Sequence, residues 1–187
     1  MRIIAGTLRS KKLAKVSNAS IRPTSDRLRE SVFNIIADRV SGAVTLDLFA
    51  GTGAMGIEAL SRGAQWATFL DHSKTAVQLI NRNLSACRLT TVSRVVVWDA
   101  TRNLNCLKSE ERLFNLIFID PPYHRGCLKP ALTHLARSPF LARDTRIVVE
   151  HDPREGIPEK LPFTITDQRN RSKTIVTFLR TVIWKRA

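Results

Sequence analysis

Four consecutive residues, Asp120-Pro121-Pro122-Tyr123, hold the most pointed chemistry in this chain of 187 residues. Two prolines fix φ and remove two backbone donors, which leaves the Asp120 carboxylate and the Pro121 carbonyl as acceptors beside an aromatic face. Such a set suits a flat base bearing an exocyclic amine. The two acceptors can take both N–H hydrogens and turn the nitrogen lone pair toward an electrophile, while Tyr123 stacks on the ring. Positioning then does most of the work, and no strong base is required, because an amine gains acidity as it is alkylated. A rigid turn alone would also account for a Pro-Pro pair after a strand.

A second group, Asp47, Phe49, Gly51, Gly53 and Gly56, lies in the stretch A-V-T-L-D-L-F-A-G-T-G-A-M-G that begins at Ala43. Its apolar run with a carboxylate inside, followed at once by glycines, reads as a buried strand, a tight turn and a helix start. Glycine admits backbone angles closed to other residues and lets a ligand come close to the main chain. G-x-G-x-x-G serves dinucleotides and S-adenosylmethionine alike, and sometimes only strand-to-helix packing. Asp71, with His72 beside it, follows Gly51 by about twenty residues, which suits a carboxylate receiving ribose hydroxyls. Asp99 could receive an adenine amino group, with the Ala100 N–H offered to a ring nitrogen.

These groups need a scaffold, and the apolar periodicity supplies one. Asp47, Asp71, Asp99 and Asp120 fall in or at the ends of four successive apolar runs, the last three being Trp66 to Leu70, Val95 to Trp98 and Leu113 to Ile119. A fifth run covers Arg146 to Glu150. Helical spacing predicts helices from Gly53 to Arg62, from a Ser73 cap to about Cys87, and from Leu128 to Arg137. An earlier helix, capped by Thr24 or Ser25, ends before Gly42; Leu28, Val32, Phe33, Ile35 and Ile36 form its apolar face, with Arg27, Arg29 and Glu30 on or beside the opposite one. Pro153, Pro158 and Pro162 then interrupt the pattern, and runs from Phe163 to Asp167 and from Thr174 to Trp184 predict an antiparallel hairpin at the sheet edge. The expected architecture is α/β, Rossmann-like and doubly wound, with a mostly parallel seven-stranded sheet. Ligands of such sheets bind outside the carboxyl ends of the strands.

The whole chain narrows the class further. Thirty Lys and Arg against sixteen Asp and Glu give a formal charge of +14, which favours a polyanionic partner through counterion release. Residues 1–23 carry six of the basic residues, Arg2, Arg9, Lys11, Lys12, Lys15 and Arg22, and no acidic one. They are turn-rich and read as a small hairpin or arm, residues 1–24, preceding a main domain of residues 25–187. The sequence has no apolar run approaching ~20 residues, so no membrane span is expected, and no secretory signal is legible at its start; the cytoplasm is the expected compartment. Three scattered cysteines and four histidines show no metal-ligand spacing, so metal is not expected. A monomer is expected.

D-x-F-x-G-x-G-x-x-G at Asp47 to Gly56 together with D-P-P-Y at Asp120 to Tyr123 resembles class I S-adenosylmethionine-dependent amino-methyltransferases. More narrowly, Arg22-Pro23-Thr24-Ser25-Asp26-Arg27-Leu28-Arg29-Glu30, Phe33-Asn34 and Glu58-Ala59-Leu60-Ser61-Arg62-Gly63-Ala64 resemble the bacterial ribosomal RNA small-subunit methyltransferase D family, over residues 2 to about 150. The resemblance implies methylation of guanine N2 in 16S ribosomal RNA, free or within the small subunit or an assembly intermediate, with S-adenosylmethionine as donor. It implies that Gly51, Gly53 and the region of Asp47 hold the methionine part, Asp71 the ribose, Asp99 with Ala100 the adenine, and Asp120, Pro121, Pro122 and Tyr123 the target base, with Phe49, Gly56 and His72 also among the cofactor-binding residues. Arg9, Lys11, Lys12, Arg22, Thr24, Arg27 and Arg29 would then grip RNA. Two departures stand out: Lys173-Thr174-Ile175 replaces a Lys-Tyr-Gly-type turn, so no catalytic work is expected there, and Ser10 stands where a glycine is common. An adenine-N6 methyltransferase shares the D-P-P-Y logic, an NAD-dependent oxidoreductase shares the glycine turn, and a non-enzymatic RNA-binding module would share the charge.

Overall fold

The structure, a computed structural model, describes residues 1–15, 25–171 and 173–182. Five parallel strands, β1 (Val44–Leu48), β2 (Trp66–Asp71), β3 (Ser93–Val97), β4 (Phe114–Ile119) and β5 (Leu141–His151), lie side by side in the order β3-β2-β1-β4-β5. The last two, β6 (Phe163–Arg171) and β7 (Thr174–Thr181), extend the sheet antiparallel, with β7 against β5 and β6 outermost. The expected α/β sheet of seven strands is therefore present. Within the hairpin, side-chain character decides which strand goes inside. Thr177, Phe178 and Leu179 of β7 are wholly buried, whereas β6 reads F-T-I-T-D-Q-R-N-R and occupies the edge, where charged side chains discourage further pairing.

Several strands depart from the expected bounds: β6 runs on past Asp167 to Arg171, and β7 ends at Thr181, short of Trp184, which lies outside the described residues. β5 begins at Leu141 rather than Arg146, because Leu141 pairs with Phe114 and Arg146 with Leu116, leaving the residues between them bulged. Apolar periodicity cannot see such a polar bulge; it is held by the Thr145 hydroxyl, which donates to the carbonyls of Phe114 at 2.9 Å and Ala142 at 2.8 Å. β3 begins at Ser93 and stops before Trp98.

Helices cover both faces. α4 (Leu128–Ala136) lays Leu128, Leu132 and Leu135 over Leu46, Leu48, Ile117, Ile119 and Val149. On the other face α1 (Asp26–Ile35) packs Val32 and Phe33 against Phe118, Val148 and Phe178, while α2 (Ala54–Ser61) and α3 (Lys74–Cys87) cover Ala67 and Phe69. Serine side chains cap two of these helices as expected: Ser25 accepts from Leu28 N–H at 3.2 Å and Ser73 from Ala76 N–H at 3.3 Å, each satisfying a donor that the first turn leaves open.

Residues 1–15, the described part of the expected arm of residues 1–24, form a small hairpin with an antiparallel bridge between Arg2 and Lys12. It is docked rather than loose. Ile3 and Leu13 are buried, and the buried Glu58 carboxylate of α2 accepts the N–H groups of Ile4 at 2.8 Å and Ala5 at 3.0 Å. Ser61 adds a donor to the Ala5 carbonyl at 2.6 Å and an acceptor for Leu8 N–H at 3.0 Å. Ser10, where a glycine would fit more easily, takes a left-handed φ of 70° at the hairpin's far end.

Candidate functional site

Register brings the glycine turn and the D-P-P-Y corner together. Leu48 of β1 lies opposite Ile119 of β4, and Asp120 N–H reaches the Leu48 carbonyl at 3.5 Å. The chain therefore leaves two neighbouring strands side by side, into Phe49–Gly53 on one path and Asp120–Tyr123 on the other. Phe49, Gly51 and Gly53 all have left-handed φ, at 60°, 56° and 76°. For a bulky residue such as Phe49 this costs on the order of 1–3 kcal/mol. Such a cost, kept at the mouth of a parallel sheet, points to a turn shaped for a ligand.

The turn is held by two carboxylates. Asp71 accepts Gly51 N–H at 2.9 Å on one oxygen and Ser73 N–H at 2.8 Å on the other, tying the turn to the start of α3. Each carboxylate oxygen can accept a second bond, so this pinning does not use up its capacity for ribose hydroxyls. The exposed His72 ring sits beside it, 3.7 Å away. Asp47 lies beneath the turn, 3% exposed, and accepts Gly56 N–H at 2.9 Å. Burial, with a smaller contribution from the Asp71 charge, pushes its carboxyl up to about 8, because a low-dielectric interior disfavours the ionised form.

Asp47 and Gly56, expected against the cofactor, are thus internal supports of the turn. A Cβ on Gly56 would collide with the Phe69 ring of β2, so this glycine serves close helix-to-strand packing, one of the readings that the motif leaves open. At the end of β3, one Asp99 oxygen accepts the Thr101 N–H at 2.9 Å and its hydroxyl at 2.6 Å. The Thr101 hydroxyl is the main reason that the Asp99 carboxyl is held below its usual range. Ala100 behind it is buried.

On the base side, the Tyr123 hydroxyl donates to Glu150 Oε1 at 2.9 Å and lies 2.9 Å from the Thr174 hydroxyl. The ring is therefore fixed by the ends of β5 and β7. Burial is the first cause, and the neighbouring carboxylates a further one, that keep this phenol protonated well above its ordinary range. Thr174, in the turn from which no catalytic work was expected, thus lies against the site as a tether of the Tyr123 hydroxyl. Glu150 was legible only as a carboxylate ending an apolar run, the same signal that marked Asp71 and Asp120. An open depression of about 360 Å³ lies beside Tyr123, lined by His124, Asp152, Pro153, Arg154 and Lys173. Within it Arg154 pairs with Asp152 at 2.9 Å, and this partner holds the Asp152 carboxyl down at about 2.

Among the expected RNA contacts, Arg9, Lys11, Lys12 and Arg27 are exposed, while Arg22 and Thr24 lie outside the described residues. Arg29 is a correction. Its side chain is wholly buried, donating to Asp26 at 3.1 Å and to the Arg2 carbonyl, with Nε 3.5 Å from Glu58. Helical spacing alone set it outward, but an ion partner from α2 and the docked hairpin enclose it. Arg62 also binds Glu58, at 2.7 Å, and lies over the Phe33 ring. Glu58, Ser61 and Arg62 of the E-A-L-S-R-G-A segment thus assemble the hairpin, α1 and α2 into one unit. Among the described residues no cluster of metal-ligating side chains occurs and no helix is long and apolar enough to cross a membrane.

A parallel sheet with this strand order, its antiparallel final hairpin and its glycine turn define a methyltransferase of class I. Residues 1–180 match the family model described as "Conserved hypothetical protein 95". The ribosomal RNA small subunit methyltransferase D of Escherichia coli is 37% identical over 158 residues, covering 84% of this chain and 78% of that protein. YlbH of Bacillus subtilis is 42% identical over 159 residues, covering 85% and 86%. The solved structure of the Escherichia coli protein yhhF superposes with a TM-score of 0.85 at 32% identity, covering 97% and 98% of the two chains. The chain belongs to the ribosomal RNA small subunit methyltransferase D family and is a methyltransferase.

Proposed function

We propose that the chain transfers a methyl group from S-adenosylmethionine to the exocyclic N2 of a guanine in 16S ribosomal RNA, in the small subunit or an assembly intermediate. One observation carries this reading: the D-P-P-Y corner leaves β4 directly beside the glycine turn that leaves β1, in a chain akin to the small subunit methyltransferase D of Escherichia coli. The donor set fits the cofactor. Asp71 and Asp99 offer acceptors at successive strand ends for ribose hydroxyls and an adenine amine, and the left-handed Phe49, Gly51 and Gly53 shape the turn over the buried clamp of Asp47 and Gly56. When bound, the cofactor supplies an electrophilic methyl group on a sulfonium.

The chain's own part is placement. Asp120 and the Pro121 carbonyl accept the two N–H groups of the amine, which fixes the direction of its lone pair, while Tyr123, tethered through its hydroxyl, supplies a stacking face. The amine proton leaves late and needs no strong base. Arg9, Lys11 and Lys12 of the arm, residues 1–24, and Arg27 contact phosphates; Arg29 acts indirectly, by holding the arm on α1 and α2. The test is incubation with labelled S-adenosylmethionine and either small subunits lacking the modification or bare 16S RNA. Label in N2-methylguanine is the expected result, and label confined to adenine overturns the reading.

A further inference from the structure

A small cavity of about 20 Å³ has Asp120 in its lining. Its lining is apolar, from α1, α2, β4, β5 and β7, except for two carboxylates, Asp120 and Glu150. Register explains the pairing: Phe118 lies opposite Val148 and Ile119 opposite Val149, so Asp120 and Glu150 form the next step. Side chains alternate across a sheet, so both carboxylates follow Phe118 and Val148 onto the face beneath α1. Glu150 is also the residue to which the Tyr123 hydroxyl donates, which fixes a carboxylate oxygen at the edge of the stacking ring.

We propose that Glu150 is the specificity-determining residue that reads the target base, accepting the N1–H of guanine beside the amine held by Asp120. This rests on the guanine-N2 reading above. Guanine carries N1–H and the N2 amine as adjacent donors on its Watson–Crick edge, so two neighbouring carboxylates, which only accept, match it. Adenine carries a bare N1 acceptor next to its amine, and Glu150 would face it lone pair to lone pair. The apolar lining sharpens the choice, since a mismatched polar group there loses water without gaining a partner.

The test uses small-subunit RNA in which the methylated guanine, once mapped, is replaced by 2-aminopurine, a base that keeps the amine but has no hydrogen on N1. The unmodified chain is expected to favour guanine by on the order of a hundredfold or more in kcat/KM, since a site built around a hydrogen bond rejects the analogue that lacks it. Glu150→Gln, whose amide can donate to a bare N1, is expected to narrow that ratio to within about tenfold, consistent with the loss of one charge-assisted bond. Unchanged S-adenosylhomocysteine binding by calorimetry would show that the variant is folded. Equal use of both bases by the unmodified chain, or full retention of the preference in the variant, would overturn the role of Glu150 while leaving guanine methylation intact. Absence of any N2-methylguanine would instead refute the underlying function, and this role with it.

Discussion

Glu58→Gln is the sharpest probe of how the basic arm is held. The Glu58 side chain is wholly buried; its two oxygens accept hydrogen bonds from Ile4 N–H at 2.8 Å, Ala5 N–H at 3.0 Å and Arg62 Nε at 2.7 Å, and one lies 3.5 Å from the Arg29 Nε as an ion pair. Glutamine preserves the shape but turns one acceptor into a donor aimed at a backbone N–H, and removes the charge facing the buried Arg29. Asp26, the other ion partner of Arg29, is partly exposed and screened accordingly. Breaking a buried pair costs about 3–5 kcal/mol, and an unsatisfied amide, part of the same loss, accounts for about 1–3 kcal/mol of it. In a chain of this size each kcal/mol lowers Tm by about 2–4 °C, so a fall of roughly 6–20 °C is expected. Urea unfolding measures the free energy, and hydrogen exchange at the Ile4 and Ala5 amides reports the arm. A loss below about 1 kcal/mol, with those two amides still protected, would refute the view that this carboxylate docks the hairpin.

Two further outcomes follow from the turn. Gly56→Ala drives a methyl group into Phe69, whose ring is 0% exposed; a destabilisation of about 1–3 kcal/mol is expected, relieved in part by a second change, Phe69→Leu, in the same denaturation experiment. Asp47 gives a pH signature. Its carboxyl is raised from 3.8 to about 8 in the folded chain, so between these values the native state binds more protons than the unfolded one, and stability falls as pH rises through that window. Urea midpoints should therefore decline from about pH 5 to about pH 7.5, and Asp47→Asn should flatten the decline; an equal slope in the variant would show that another group is responsible.

Local chemistry made much of this legible in the sequence. Ser73 and Cys87 bound α3 where the hydroxyl cap and the helical spacing put them, and the four apolar runs marked by Asp47, Asp71, Asp99 and Asp120 are parallel strands of the sheet. What escaped was set by partners far along the chain. Arg29 reads as an outward charge until Glu58 arrives from another helix. Thr174 reads as a plain turn residue until the sheet places it against Tyr123, fifty-one positions away. The bulge in β5 rests on a Thr145 hydroxyl bonded to β4, and Glu150 gains its meaning only from register with Asp120. Periodicity describes a strand's faces, not its neighbours.

The position of β7 also has a consequence for biosynthesis. Because it is threaded between β5 and β6 and brings Thr174 to the Tyr123 hydroxyl, a nascent polypeptide released only through residue 170 has its glycine bend and the Glu150 tether but lacks the second tether of the tyrosine. The growing molecule also exposes the flank of β5 that Phe178 and Leu179 later pair with, an unpaired edge of the kind chaperones shield. The nucleobase side is thus fully braced only after β7 has been made.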